Sequence, residues 1–296
     1  METQNAEMGL RLCAALWFFW YVRGYATEGR MQIRKLLDLP GAANVQTVRA
    51  EAMLGAGQLA QTQGDYSAAR MLLDESVALF RTVNDQQRVA AALLASGFCA
   101  RIQEDYVRAR SLLREALSLS RSTRYDFITA ASLHHLGMIA MDAQQDYPAA
   151  RSLLQEALRL YRELRLPRFT AQVLITVADL DRTEGALGHA RDCLNEAVGM
   201  MIDVGEKLGL QHALDSYAQL AFDEGQPHRA ACLAGAAERL REGMGMLSWP
   251  VIRRGRDDWL QRAGQVLGEQ AFRTAWDKGE AMTSDQAIAY ALEPDD

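Results

Sequence analysis

The stretch "GDYSAARMLLDES" at residues 64–76 returns with small changes as "EDYVRARSLLREA" at 104–116 and as "QDYPAARSLLQEA" at 145–157. Each phrase sets an aspartate four positions before a small residue and a Leu-Leu pair just beyond it. The small residues Ala69, Ala109 and Ala150 lie 40 and 41 positions apart. Further steps of 40 land on Ala190 in "GALGHARDCLNEA" and Ala230 in "GQPHRAACLAGAA", and one step back lands on Gly29 in "GYATEGRMQIRKLL". The chain therefore carries six copies of one unit, and a fixed period of this size marks a solenoid in which each copy leans on the next.

Each copy reads as two helices. Upstream of each small residue lies an Ala-rich stretch such as "AAALLASGFCARI" (90–102), with apolar residues at helical spacing. Asp65, Asp105 and Asp146 stand where an N-cap accepts backbone N–H bonds from a second helix. That helix carries its apolar stripe and ends in a polar linker, expected at "RTVNDQQ" (81–87). The recurring phrase thus marks a turn and the start of the second helix of a hairpin.

Twelve positions before the small residues stand Gly57, Gly97, Ala178 and Ala218, with Gly137 thirteen before Ala150 and Trp17 in the first copy. This arrangement of small and large residues resembles the tetratricopeptide repeat family over roughly residues 10–242. The resemblance implies an all-α, right-handed α-solenoid of about six helical hairpins, a scaffold used mostly to bind proteins or peptides. The unit is about 40 residues instead of the common 34 or so, so helices or linkers are each longer.

The pattern weakens toward the end: Ala186-Leu187 and Gln226-Pro227 replace Asp-Tyr. After Gly243 the period stops, and three further helices are expected: one after Pro250, one near Gly268 and one behind a Thr283/Ser284 N-cap. The expected organisation is a repeat array over 1–242 and a helical cap over 243–296.

Composition narrows the function. Of 296 residues 49% are hydrophobic, which excludes a disordered chain, and the net charge is −6 without any Lys/Arg run, which argues against direct nucleic-acid binding. Cys13, Cys99, Cys193 and Cys232 form no CxxC pair and read as free, buried thiols of a reducing compartment. No secretory signal is evident, and "LCAALWFFWYV" (12–22) is too short to span a bilayer. A cytoplasmic protein without membrane contact is expected.

Two stretches, "LRLCAALWFFWYVRGYATEGR" (10–30) and "GEQAFRTAWDKGEAMTSDQAIAYAL" (268–292), resemble the C-terminal region of large bacterial LuxR- and AfsR-type signal-transduction ATPase regulators. In that family the repeat array senses a ligand or partner and holds the ATPase inactive. The chain itself has no GxxxxGK[ST] phosphate loop, so it resembles the sensor module alone.

Trp17, Phe18, Phe19, Trp20 and Tyr21 are consecutive and point all round a helix, so an upstream ATPase domain, a second copy or the 1–9 segment is expected against them. Arg70, Arg110, Arg151 and Arg191, with Glu75, Glu115, Glu156 and Glu196 five residues on, are expected as outer rows pairing with neighbouring repeats. His134 and His135 diverge by about 100° on a helix and cannot chelate jointly. His189, His212 and His228 read as surface residues, and no metal or cofactor site is expected. No GxSxG elbow is present, so no catalytic residues are assigned.

If the first helices line the concave face, the inward positions are Gln58, Gln61, Phe98, Arg101, His134 and Met138, followed by Met141, Asp179, Arg182, Asp215, Gln219 and Phe222. Apolar anchors with a few fixed polar groups suit a protein or peptide partner, or a small effector. The competing expectation is a structural protein that dimerises through its aromatic N-terminal repeat.

Overall fold

The computed structural model describes residues 2–243 and 250–293, and all regular structure among them is helical. Positions 244–249 and 294–296, part of the expected cap, lie outside the described residues. The chain forms two compact units, Met1–Ile139 and Ala140–Asp296.

The first unit contains α1 (Glu2–Val22), α2 (Ala26–Leu37), α3 (Gln46–Thr62), α4 (Tyr66–Thr82), α5 (Gln86–Ile102), α6 (Tyr106–Ser122) and most of α7 (Asp126–Asp142). From α3 to α7 each helix has 17 residues and each turn three, so a helix recurs every 20 positions and a hairpin every 40. The long unit comes from long helices and not from long linkers. The stretch 81–87 is accordingly corrected: α4 runs to Thr82 and α5 starts at Gln86, leaving only Val83, Asn84 and Asp85 between them. Its polar residues are turn and cap. Asn84 adopts φ 55° and the Asp85 carboxylate accepts from the Arg88 N–H at 3.0 Å. Asp65 and Asp105 cap α4 and α6 in the same way.

The two helices of a hairpin differ in how much of their circumference is buried. α4 buries a stripe of Ala69, Leu73, Ser76, Val77 and Phe80, whereas α5 buries residues nearly all round. From α3 to α6 the first helix of each pair is therefore the inner one, flanked on several sides, and the second faces solvent. Gly57 and Gly97, twelve before Ala69 and Ala109, permit this closeness. A Cβ at Gly57 would stand 2.7 Å from Leu73 Cγ, and one at Gly97 2.7 Å from Leu113 Cγ. Around the aromatic run of α1 glycine makes room for tryptophan: Gly29 of α2 lies under Trp20 and Gly55 of α3 under Trp17. Trp20 is buried, Trp17 and Tyr21 are partly buried, and Phe18 and Phe19 remain 44% and 49% exposed.

The second unit continues with α8 (Tyr147–Glu163), α9 (Pro167–Thr183), α10 (Leu187–Val204), α11 (Lys207–Asp223), α12 (Pro227–Gly243), α13 (Pro250–Leu267), α14 (Glu269–Glu280) and α15 (Ser284–Leu292). The turn before α8 has four residues, which accounts for the 41-residue step to Ala150. All six anchors, from Gly29 to Ala230, are buried. Asp146 caps α8, while α10, which begins after Ala186, has no side-chain cap. Thr283 forms a reciprocal capping box with Gln286 at the start of α15.

Ion pairs tie helices within a hairpin and successive hairpins within each unit, and several of the expected row residues pair with the neighbouring repeat. Glu75 and Glu115 pair with Arg49 (3.4 Å) and Arg81 (2.5 Å), and Glu196 pairs with Arg162 (2.5 Å). Arg151 and Arg191 reach Glu184 and Glu224 instead, and Arg70 only approaches Asp74 of its own helix at 3.9 Å. Exposed pairs of this kind contribute about 0–1 kcal/mol each.

Candidate functional site

In the first unit the inner helices α3, α5 and α7 bring together a polar and aromatic group. Phe98 of α5 stacks on His135 of α7, ring centroids 5.0 Å apart, and His135 lies 5.6 Å from His134 with nearly parallel planes. The Arg101 guanidinium stands 5.7 Å from the Phe98 ring centre, in cation–π range. Gln61, Arg101 and His134 are buried, and Gln58, Phe98, His135 and Met138 are partly buried. Burial, reinforced by Arg101, lowers His134 to about 3 and pushes His135 well below the ordinary imidazole range. Both rings are therefore neutral at neutral pH and offer one donor and one acceptor each.

Three atoms here lack hydrogen-bond partners although buried: Gln58 Oε1, Gln61 Nε2 and His135 Nδ1. A buried polar atom without a partner costs about 1–3 kcal/mol, so native proteins rarely leave several in one place. A ligand that drew the partly exposed Gln58 and His135 side chains outward and supplied the missing donors and acceptors would recover that cost.

In the second unit the predicted inward positions lie on α9 and α11, with Met141 partly buried at the end of α7. Burial raises Asp179 to about 6, opposed by Arg182 and by a bond from Ser216. Burial likewise raises Asp215 to about 7 against the pull of Arg256 and a bond from Gln211, and Arg241 donates to it at 3.0 Å. Arg182 pairs with Asp223 at 2.6 Å. Phe222 lies against Trp259 of α13, ring centroids 6.1 Å apart, and under the Arg262 guanidinium. The last repeat thus has α13 laid over part of the face that carries Phe222, while Gln219 beside it stays partly exposed. His212, expected on the surface, is partly buried and lowered to about 4 by burial. A separate open depression of about 590 Å³, lined by Arg239, Glu280 and Thr283 among others, lies between α12 and the α14–α15 turn.

Sequence reasoning also missed a convergence: Asp181 of α9 meets His189 and Cys193 of α10, their ligand atoms all within 4.8 Å of one another. The His-x-x-x-Cys spacing on one helix was the available signal. As a Cys–His–Asp relay the trio has unsuitable geometry, because Asp181 Oδ2 (2.5 Å) and Cys193 Sγ (3.9 Å) both address the same nitrogen, Nδ1. A relay needs them on opposite nitrogens.

Stacked helical hairpins with tightly packed small residues and a 40-residue period define a helical repeat protein. The tetratricopeptide repeat model matches residues 48–122, 88–163 and 128–203, more than half of the chain, and the chain belongs to that family. Such repeats build extended binding surfaces for proteins and peptides. Two relatives, provisionally named HTH-type transcriptional regulators of Mycobacterium tuberculosis and Mycobacterium bovis, are 28% identical over 102 residues. The match covers 34% of this chain but 12% of theirs. Among solved structures, apo RapI is similar over 95% of this chain and 98% of its own (TM-score 0.63, 12% identity). BtubC from P. vanneervenii is similar over 76% and 91% (TM-score 0.56, 16% identity). At these identities they show a shared fold. No helix among the described residues is long and apolar enough to cross a membrane.

Proposed function

We propose that the chain is a non-catalytic sensing module of a bacterial transcriptional-regulator-like protein, cytoplasmic, that binds a peptide or protein segment on the inner-helix face. The carrying observation is the set of buried, unpartnered atoms of Gln58, Gln61 and His135 beside the Phe98 ring. A peptide backbone presents alternating donors and acceptors that would satisfy an amide oxygen, an amide N–H and an imidazole nitrogen, with an apolar side chain resting on Phe98. A small effector with the same functional groups is the narrower version of this reading. The similarity to regulators supports the setting, and four free, buried cysteines agree with a reducing compartment. The inward positions of the second unit, from Asp179 to Gln219, would offer that unit a polar contact surface of its own, and an ATPase domain is the expected recipient of the signal.

The test is a random-peptide selection against the full chain, with hits remeasured by fluorescence anisotropy on Phe98→Ala and Gln61→Ala. At least a tenfold loss on both variants is expected. Hits that bind both variants as tightly as the parent would end the groove reading.

A second reading, self-assembly through the first repeat, draws on the exposed Phe18 and Phe19 with Val22 and Tyr25 nearby. Sedimentation equilibrium separates the two: a dimer that dissociates on Phe18→Ser/Phe19→Ser supports assembly, and a monomeric parent removes it.

A further inference from the structure

We propose that Asp181, His189 and Cys193 form a binding site for a zinc-class divalent cation. The site is built by the turn between α9 and α10. Asp181 lies in the last turn of α9, and the chain reverses over Glu184, Gly185 and Ala186, with Gly185 at φ 81°. The reversal sets the first turn of α10 beside it, and His189 and Cys193, four apart on one helix face, point back at the carboxylate. His189 Nδ1 is 2.5 Å from Asp181 Oδ2 and 3.9 Å from Cys193 Sγ. An ion with tetrahedral bonds of about 2.0–2.3 Å holds its ligand atoms roughly 3.3–3.7 Å apart, so small adjustments of the exposed imidazole would seat it.

The donor set selects the ion. One thiolate sulfur, one imidazole nitrogen and one carboxylate oxygen suit zinc or its close analogues, whereas calcium and magnesium want oxygen ligands only. The carboxylate is already oriented. Arg151 donates to Oδ1 at 2.6 Å and leaves Oδ2 for the metal, the kind of outer support that bound ligands commonly have. Asp181 and Cys193 are buried and His189 is 62% exposed at its side chain, so the fourth position would open to solvent on the imidazole side. Thiolate and carboxylate together carry −2, which balances a divalent ion. On binding, the thiol proton passes to the buffer, and the Nδ1 proton that His189 donates to Asp181 is given up while Nε2 takes one from solvent, so the imidazole stays neutral with Nδ1 free for the ion.

The probe is cobalt(II), titrated into the full chain after chelator treatment and dialysis, with the thiolate-to-cobalt absorption band as readout and zinc as competitor. The expected result is one cobalt per chain, displaced by zinc and unaffected by excess magnesium. Cys193→Ser should abolish the band and His189→Ala should weaken cobalt binding at least tenfold, with unchanged helical circular dichroism. No band in the parent chain overturns the proposal. So does a band of equal strength in both variants, which would place the thiolate at another cysteine. If Cys193→Ser loses its helicity, His189→Ala, altering an exposed side chain, still decides.

Discussion

Gly279 of α14 lies so close to Cys232 of α12 that a Cβ added there would overlap the Cys232 carbonyl oxygen. Gly235 of α12 has the reciprocal relation to the Trp276 carbonyl. Two backbones thus meet at a crossing that only glycine permits. Gly279→Ala should destabilise the second unit by about 3 kcal/mol, at the upper end of overpacking costs because backbone and not a flexible side chain must give way. Hydrogen exchange of α12 and α14 reads it: protection falling together in both helices is expected, and unchanged protection refutes the contact.

Arg165 sits in the turn before α9 with φ 54°, exposed, in the left-handed region where side chains are disfavoured. Arg165→Gly should relieve that strain by about 1 kcal/mol, less the entropy glycine adds to the unfolded chain. Net stabilisation of roughly 0.5 kcal/mol, seen as slower exchange in α8 and α9, is expected. Arg165→Val should move the same reporter the opposite way.

Asp105 caps α6 through the Arg108 N–H at 3.1 Å. Its replacement by Ala should cost about 1 kcal/mol, and Asp105→Asn should retain most of the cap. Urea denaturation of both variants tests this, since equal losses would assign the effect to charge and not to capping.

The two units should answer acid in opposite senses. His134 and His135 are held below their unfolded values, so between about pH 3 and 6.5 the unfolded chain binds more protons and the first unit loses stability as pH falls. Asp179 and Asp215 are raised to about 6 and 7, so the folded second unit holds extra protons between about pH 4 and 7 and gains stability as pH falls. His212, lowered to about 4, offsets one of those two carboxyls. Exchange protection of α5 relative to α11, measured from pH 7 to pH 5, should fall. A ratio that stays constant would contradict this.

The repeat was legible because its determinants are local. Asp65, Asp105 and Asp146 announce caps, and Gly57 and Gly97 announce close helix contact, at spacings read straight from the chain. The partners of Glu75 and Glu115 were not legible, since Arg49 and Arg81 lie 26 and 34 residues away and many arginines compete on every helix. The candidate inward positions came from register alone, and register does not tell how deep a side chain lies: Arg101 and His134 are buried. Asp181, His189 and Cys193 escaped notice because only the reversal at Gly185 brings the carboxylate to the imidazole.

The four-residue turn at 143–146 shows where such a chain can change length. An extra residue inside a 17-residue helix would rotate every following side chain by about 100° and carry buried positions out to water. Placed in the turn, it leaves α7 and α8 each in phase with its own neighbours. Insertions and deletions over evolutionary time should therefore accumulate between helices and be purged within them, so that the array drifts in length while its faces stay fixed.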